Sequence, residues 1–365
     1  MIRTTVFPGR YVQGAGAFNR LGNEMARLST KGFVICDPFV LEQLFPVFRH
    51  DIEQAVPIVV ERFGGECSDE EISRISDVAV TSGCDIVVGI GGGKTLDTAK
   101  VVAGNLKLPA ACAPSIASTD APCSAVSVIY TPDGTVKRYV FHRRNPDLVI
   151  IDTTVVAQAP SRFLVSGMGD ALATWFEAES CRQKYARNIT GDYGSVTAYA
   201  LARLCYDTLL EHGLTAKLSC DAHVVSPSLE HVVEANTLLS GLGFESGGLA
   251  AAHAIHNGLT VLPHVHDHFH GEKVAFGVLA SLFLTDKPSD VIDEVYDFCD
   301  EVGLPTTFAD IGLPDVSDDE LRMVAEAATA VGETIHNEPV PVTADMVVAS
   351  LKLADAKGRD RLGEL

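Results

Sequence analysis

Six of the chain's twelve histidines fall inside HAIHNGLTVLPHVHDHFHGEK, residues 253–273. They are His253, His256, His264, His266, His268 and His270. Imidazole ligates metals and carries protons near neutral pH, so this stretch is the first candidate for chemistry. His256 follows His253 by three residues, which on a helix puts both rings on one face. His264, His266 and His268 alternate with Val265, Asp267 and Phe269 in a loop opened by Pro263, and read as solvated side chains or adventitious metal binders. A second candidate is GIGGGKTLDTAK, residues 89–100. Gly91, Gly92 and Gly93 carry no Cβ, so their backbone can approach a pyrophosphate, and a helix starting there aims free N–H groups at the anion. The loop is neither of two familiar types. A P-loop needs glycine where Val88 stands, and the G-x-G-x-x-G fingerprint needs glycine where Lys94 stands. The third candidate, APSIASTDAP at 113–122, gathers Ser115, Ser118, Thr119 and Asp120. These residue types cap helices and shape loops as readily as they hold a ligand.

The elements that must position these groups follow from periodicity. Gly32–Cys36, Pro57–Val60, Asp85–Gly89, Ala110–Ala113 and Leu148–Ile151 are short apolar runs that read as buried parallel strands, with helical patterns such as 69–79 between them. Strand–helix alternation predicts a parallel sheet with crossover helices. Ala125–Tyr130 and Val136–Phe141, joined by Thr131-Pro-Asp-Gly134, predict a hairpin laid onto that sheet. Past Pro160, long Ala- and Leu-rich stretches with helical spacing predict an all-helical second domain. The expected division is therefore an α/β nucleotide-binding domain over 1–160 and a helical domain over 161–365. Within the latter, Asp170 is expected to open a helix over 171–179 after a Gly-Met-Gly turn. His253 is expected on a helix over 247–257 ended by Gly258, and His270 at the start of the next helix.

Composition narrows the function classes. The 365 residues are 47% hydrophobic and 21% charged, as in soluble globular proteins. A formal charge of −20 opposes binding to nucleic acid or anionic membranes. Nine scattered cysteines without a CxxC pair read as reduced thiols, and the opening residues lack the apolar core of a signal peptide, so a cytoplasmic location is expected.

GGGKTLDTAK, PSIASTDAPCSAVSVIY, GMGDALATWFEAE, GFESGGLAAAHAIHNGLT and HGEKVAFG together resemble the glycerol dehydrogenases of the iron-containing (group III) alcohol dehydrogenase superfamily, and the likeness runs over nearly the whole chain. The resemblance implies a dehydroquinate-synthase-like fold, with a Rossmann-like N-terminal domain and a helical metal-binding domain. It implies NAD-linked oxidation of glycerol to dihydroxyacetone, one divalent metal per subunit, and a homo-oligomer, often an octamer. Carried over by motif, the metal ligands fall on Asp170, His253 and His270. Cofactor contacts fall on Asp37, on Gly93, Lys94, Thr95 and Asp97, on Ser115 and Ser118, and on Ser124, Val126 and Tyr130; the substrate contact falls on Asp120. Two imidazoles and one carboxylate leave coordination positions open, as catalysis requires, and suit zinc or ferrous iron. The glycerol dehydrogenase branch favours zinc. His256 then lines the pocket as a proton relay or supports the ligands from behind. Phosphate-handling relatives of the same fold would want cationic residues where these motifs offer hydroxyls and acids.

Overall fold

The apolar runs become the strands of one parallel sheet: β1 (Tyr11–Gly14), β2 (Gly32–Cys36), β3 (Ile58–Arg62), β4 (Ile86–Gly91), β5 (Ala110–Pro114) and, after a hairpin of β6 (Val126–Tyr130) and β7 (Val136–Phe141), β8 (Leu148–Asp152). The order across the sheet is β1-β8-β5-β4-β2-β3, every pair parallel. β2, β4 and β8 are buried along their whole length, which explains their continuous apolar sequence. Alternate side chains serve opposite faces. Val34, Cys36, Val88 and Ile90 pack with Phe18, Phe45, Phe48 and Ile52, while Phe33, Ile35 and Val87 pack with Ile72, Ile75, Ala99 and Val102. β1 went unread because Tyr-Val-Gln-Gly is too short and too polar to announce a strand.

A computed structural model describes residues 1–132 and 134–364; Asp133, in the turn expected at 131–134, lies outside the described residues. The described residues divide into two compact units, one within 6–160 with 219–241, the other of 1–5, 161–218 and 242–364. Helical though it is, 219–241 belongs with the sheet. Its helix Pro227–Glu234, capped by Ser226, carries Glu230, whose carboxylate accepts from Gln13 at 2.8 Å and from Thr153 at 2.6 Å. The hairpin forms a two-stranded sheet of its own and sits against helix Gly93–Leu106, where Asp97 accepts the Val128 N–H at 3.0 Å, while Ile129 packs into the same core as Phe33, Ile35 and Val87 of the parallel sheet.

In the helical unit, Ser161–Lys184 runs unbroken, so the expected Gly-Met-Gly turn is helix instead. Its glycines answer a packing need. A Cβ on Gly169 would lie 2.3 Å from the Gly271 carbonyl oxygen, and one on Gly271 would lie 1.7 Å from that of Ser166. Helix His270–Leu284 therefore crosses Ser161–Lys184 backbone against backbone. The His253 helix runs Ala251–Leu259, so it starts later than the expected 247 and ends one residue past Gly258, where a Cβ would meet the Val324 carbonyl oxygen at 2.4 Å. Among the described residues no helix is long and apolar enough to cross a membrane.

Candidate metal and cofactor sites

The glycine crossing decides where the candidate metal-binding side chains go. Asp170 lies in the middle of its helix next to Gly169, and His270 is the first residue of the crossing helix next to Gly271, so the close approach of the backbones brings their side chains together. Helix Ala251–Leu259 packs against the His270 helix and adds His253. Asp170 Oδ1 lies 3.4 Å from His253 Nε2 and 3.2 Å from His270 Nε2. One ligand atom from each residue falls within 4.8 Å of the others, the spacing of a metal-binding triad. Burial by itself would push the Asp170 carboxyl up, but the two imidazoles outweigh it and hold the group well below the usual carboxylate range. Burial disfavours the charged form of His253, yet Glu177 and Asp170 prevail and raise its pKa. A hard carboxylate with two imidazole nitrogens, all turned toward one point, fits a divalent cation such as zinc or ferrous iron.

The outer nitrogens of both histidines are engaged. His253 Nδ1 lies 2.6 Å from Glu177 Oε2. His270 Nδ1 lies 3.0 Å from His256 Nε2, whose own Nδ1 faces Asn257 Oδ1 at 3.2 Å; Asn257 Nδ2 in turn donates to Glu333 at 3.0 Å. Burial and the neighbouring His270 keep His256 neutral by driving its pKa well below the ordinary value. With both ring nitrogens occupied, His256 buttresses His270. The other three histidines are not drawn in. His264 and His266 are exposed, His266 Nε2 pairs with the Thr260 carbonyl at 3.0 Å, and His268 is half-buried away from the triad.

The α/β unit assembles a second constellation at the carboxyl ends of three adjacent strands, where open α/β sheets bind ligands. Asp37 follows β2, the glycine loop follows β4 and Ser115 follows β5. Ser115 donates its backbone N–H to the Gly91 carbonyl at 3.0 Å, so the two loops run side by side. Gly92 caps helix Gly93–Leu106 without a side chain, which leaves the first-turn N–H groups of Gly93, Lys94 and Thr95 directed outward. Lys94 is half-exposed, paired with Glu66 at 2.5 Å, and lies 4.7 Å from the Tyr130 ring centroid. Asp37 Oδ1 accepts the Phe39 N–H at 2.9 Å and so also turns the chain after Pro38. Ser118 is half-buried in the same loop; Ser124 is buried, and Val126 is half-buried in the hairpin. Asp97 and Thr95 are buried, and the Asp97 carboxylate meets Lys100 Nζ at 2.9 Å. Lys100 also donates to the carbonyls of Ala121, Ser124 and Val126, a clamp on this loop that its motif did not announce.

Asp120 accepts a hydrogen bond from Ser240 at 2.7 Å, and Asn236 donates to the Ala117 carbonyl at 3.0 Å. The 219–241 segment thus anchors the 113–122 loop. Neither Ser240 nor Glu177 was legible in advance, since nothing in the linear sequence links them to their partners 120 and 76 residues away.

The profile of the iron-containing alcohol dehydrogenase family matches residues 8–153. A glycerol dehydrogenase of Thermotoga maritima is 64% identical over 99% of each chain. One from Escherichia coli is 50% identical over 100% of both. Among solved structures, a probable glycerol dehydrogenase from Sinorhizobium meliloti superimposes with a TM-score of 0.93 at 44% identity, over 98% of this chain and 100% of that one. The glycerol dehydrogenase of Schizosaccharomyces pombe gives 0.94 at 39% identity, over 100% and 94%. Identity at this level over the full length, on the same fold, has one reading: the chain belongs to the iron-containing alcohol dehydrogenase family.

Proposed function

We propose that this oxidoreductase performs NAD-dependent, metal-assisted oxidation of glycerol and related vicinal diols, giving dihydroxyacetone from glycerol. The observation that carries the reading is the convergence of Asp170, His253 and His270, in a chain similar throughout its length to glycerol dehydrogenases. Asp170, His253 and His270 would hold a divalent ion, zinc by resemblance and ferrous iron by ligand chemistry as the alternative, which would supply Lewis acidity to a substrate hydroxyl, and bound NAD would supply the hydride acceptor. The protein's own groups do the rest. Gly93, Lys94 and Thr95 offer N–H groups and a positive helix end to the pyrophosphate. Asp37 accepts from the ribose hydroxyls and repels a 2′-phosphate. Ser115, Ser118, Ser124, Val126 and Tyr130 line the cofactor's path. Asp120, oriented by Ser240, accepts a hydrogen bond from the second hydroxyl of the diol. His256 keeps His270 turned inward, and the substrate proton leaves to water.

A glycolaldehyde reductase of Halobacterium salinarum, 45% identical over 98% of both chains, favours a second reading in which the same chemistry runs toward reduction of a small hydroxyaldehyde. A panel of polyols and hydroxycarbonyls, assayed by NADH absorbance with NAD and NADP, before and after chelation and zinc addition, tests both. Oxidation of glycerol with NAD, lost on chelation and restored by zinc, is expected. Activity indifferent to chelation, or equal use of NADP, would refute the reading.

A further inference from the structure

Glu177 follows Asp170 by seven residues on the same helix, two turns along the same face. Its side chain is buried at 1% exposure, and among the described residues no lysine or arginine pairs with it. A bare buried carboxylate is costly unless it is fully used. This one is. Oε1 accepts the backbone N–H of Ala250 at 2.9 Å and of His253 at 3.0 Å, holding the start of helix Ala251–Leu259, and Oε2 meets His253 Nδ1 at 2.6 Å. A cap alone would need one oxygen, and a serine or asparagine supplies it at less desolvation. The second oxygen is spent on the ring.

We propose that Glu177 is a positioning residue of the metal centre, fixing His253 in the tautomer that carries hydrogen on Nδ1 and turns the Nε2 lone pair toward Asp170. The proposal rests on the reading of Asp170, His253 and His270 as metal ligands. The two histidines are held differently. His270 leans on a neutral imidazole, whereas His253 leans on a carboxylate, which also makes its Nε2 the stronger donor.

Glu177→Gln separates tautomer control from capping. The amide oxygen can still accept the Ala250 and His253 backbone N–H groups. The amide nitrogen then faces His253 Nδ1 and can only donate to it, which forces the ring hydrogen onto Nε2 and blocks the ligand position. Metal-free Glu177→Gln protein is expected to keep its circular dichroism, while its zinc dissociation constant, read by competition with a chromophoric chelator, rises about 10- to 100-fold. Zinc affinity equal to that of the unmodified protein overturns the proposal. Failure of the unmodified protein to bind zinc would instead refute the metal reading beneath it. Nitrogen-15 spectra of the zinc-loaded unmodified protein decide the matter should the variant not fold. His253 must show a protonated Nδ1 and a zinc-bound Nε2, and zinc on Nδ1 overturns the assignment.

Discussion

Asp170, His253 and His270 are three side chains from three helices that share one centre, so each is expected to be indispensable there. Asp170→Asn, His253→Ala and His270→Ala should each lose zinc and nearly all turnover yet stay folded, since Val274, Leu279 and Leu282 of the His270 helix are fully buried apolar residues that the substitutions leave in place. Metal analysis with circular dichroism checks this, with His266→Ala and His268→Ala as controls that keep turnover within a few-fold. Asp120 answers a different question, because Lewis acidity alone activates any alcohol and selects no diol. A hydrogen bond to a carboxylate is worth about 1.5–3 kcal/mol, or roughly ten- to more than a hundredfold in preference. Asp120→Ala should therefore lower kcat/KM for glycerol and 1,2-propanediol far more than for 1-propanol, with NAD affinity little changed. Ser240→Ala, which removes one hydrogen bond to that carboxylate, should move the same ratio in the same direction but less.

At the scale of elements, the controlling feature is the crossing of helices Ser161–Lys184 and His270–Leu284 through Gly169 and Gly271. Neither glycine sits at positive φ, so the requirement is space alone. A methyl on Gly271 would lie inside the Ser166 carbonyl, and the helices would have to part, drawing His270 away from Asp170. Gly271→Ala is expected to destabilise the protein by about 1–3 kcal/mol, the usual cost of overpacking. It should also weaken zinc binding although no ligand is altered. Thermal unfolding together with zinc titration checks both effects, and a loss of stability with unchanged zinc affinity would uncouple the crossing from the site.

Across the whole molecule, stability should carry the imprint of one buried acid. Burial pushes the Glu338 carboxyl up to about 7, although the nearby Ser180 side chain and the hydrogen bond from the Ala251 N–H at 3.0 Å favour its charged form. The folded protein thus binds this proton more tightly than the unfolded chain, whose carboxyl keeps its ordinary value of 4.5. The associated stability is fully present below that ordinary value, falls as pH rises through the interval, and is gone above about 7. Glu338→Gln removes the titration, so the difference in unfolding free energy between variant and parent should shift in the variant's favour, by up to about 3 kcal/mol, between pH 5 and 8. Denaturant unfolding at a series of pH values measures it; a constant difference would mean that Glu338 does not titrate in this range.

Much of the architecture was legible in the chain because its causes are local. β2, β4, β5 and β8 announce themselves as apolar runs, since strands buried on both faces cannot afford polar residues, and the ligand and cofactor motifs are contiguous words that family likeness can match. What failed were inferences from single glycines. Gly167-Met168-Gly169 looks like a break along a line, yet Gly169 is a point where another backbone passes within reach of a missing Cβ, and that neighbour is far away in sequence. The same distance hid Glu177 behind His253, Ser240 behind Asp120, and the attachment of 219–241 to the sheet. Residue types and the family likeness of contiguous motifs singled out the atoms expected to bind a metal and a dinucleotide. Only the tertiary structure decided how those atoms are held, because the groups that orient a ligand meet it through packing between separate elements, which leaves no period or motif in the sequence.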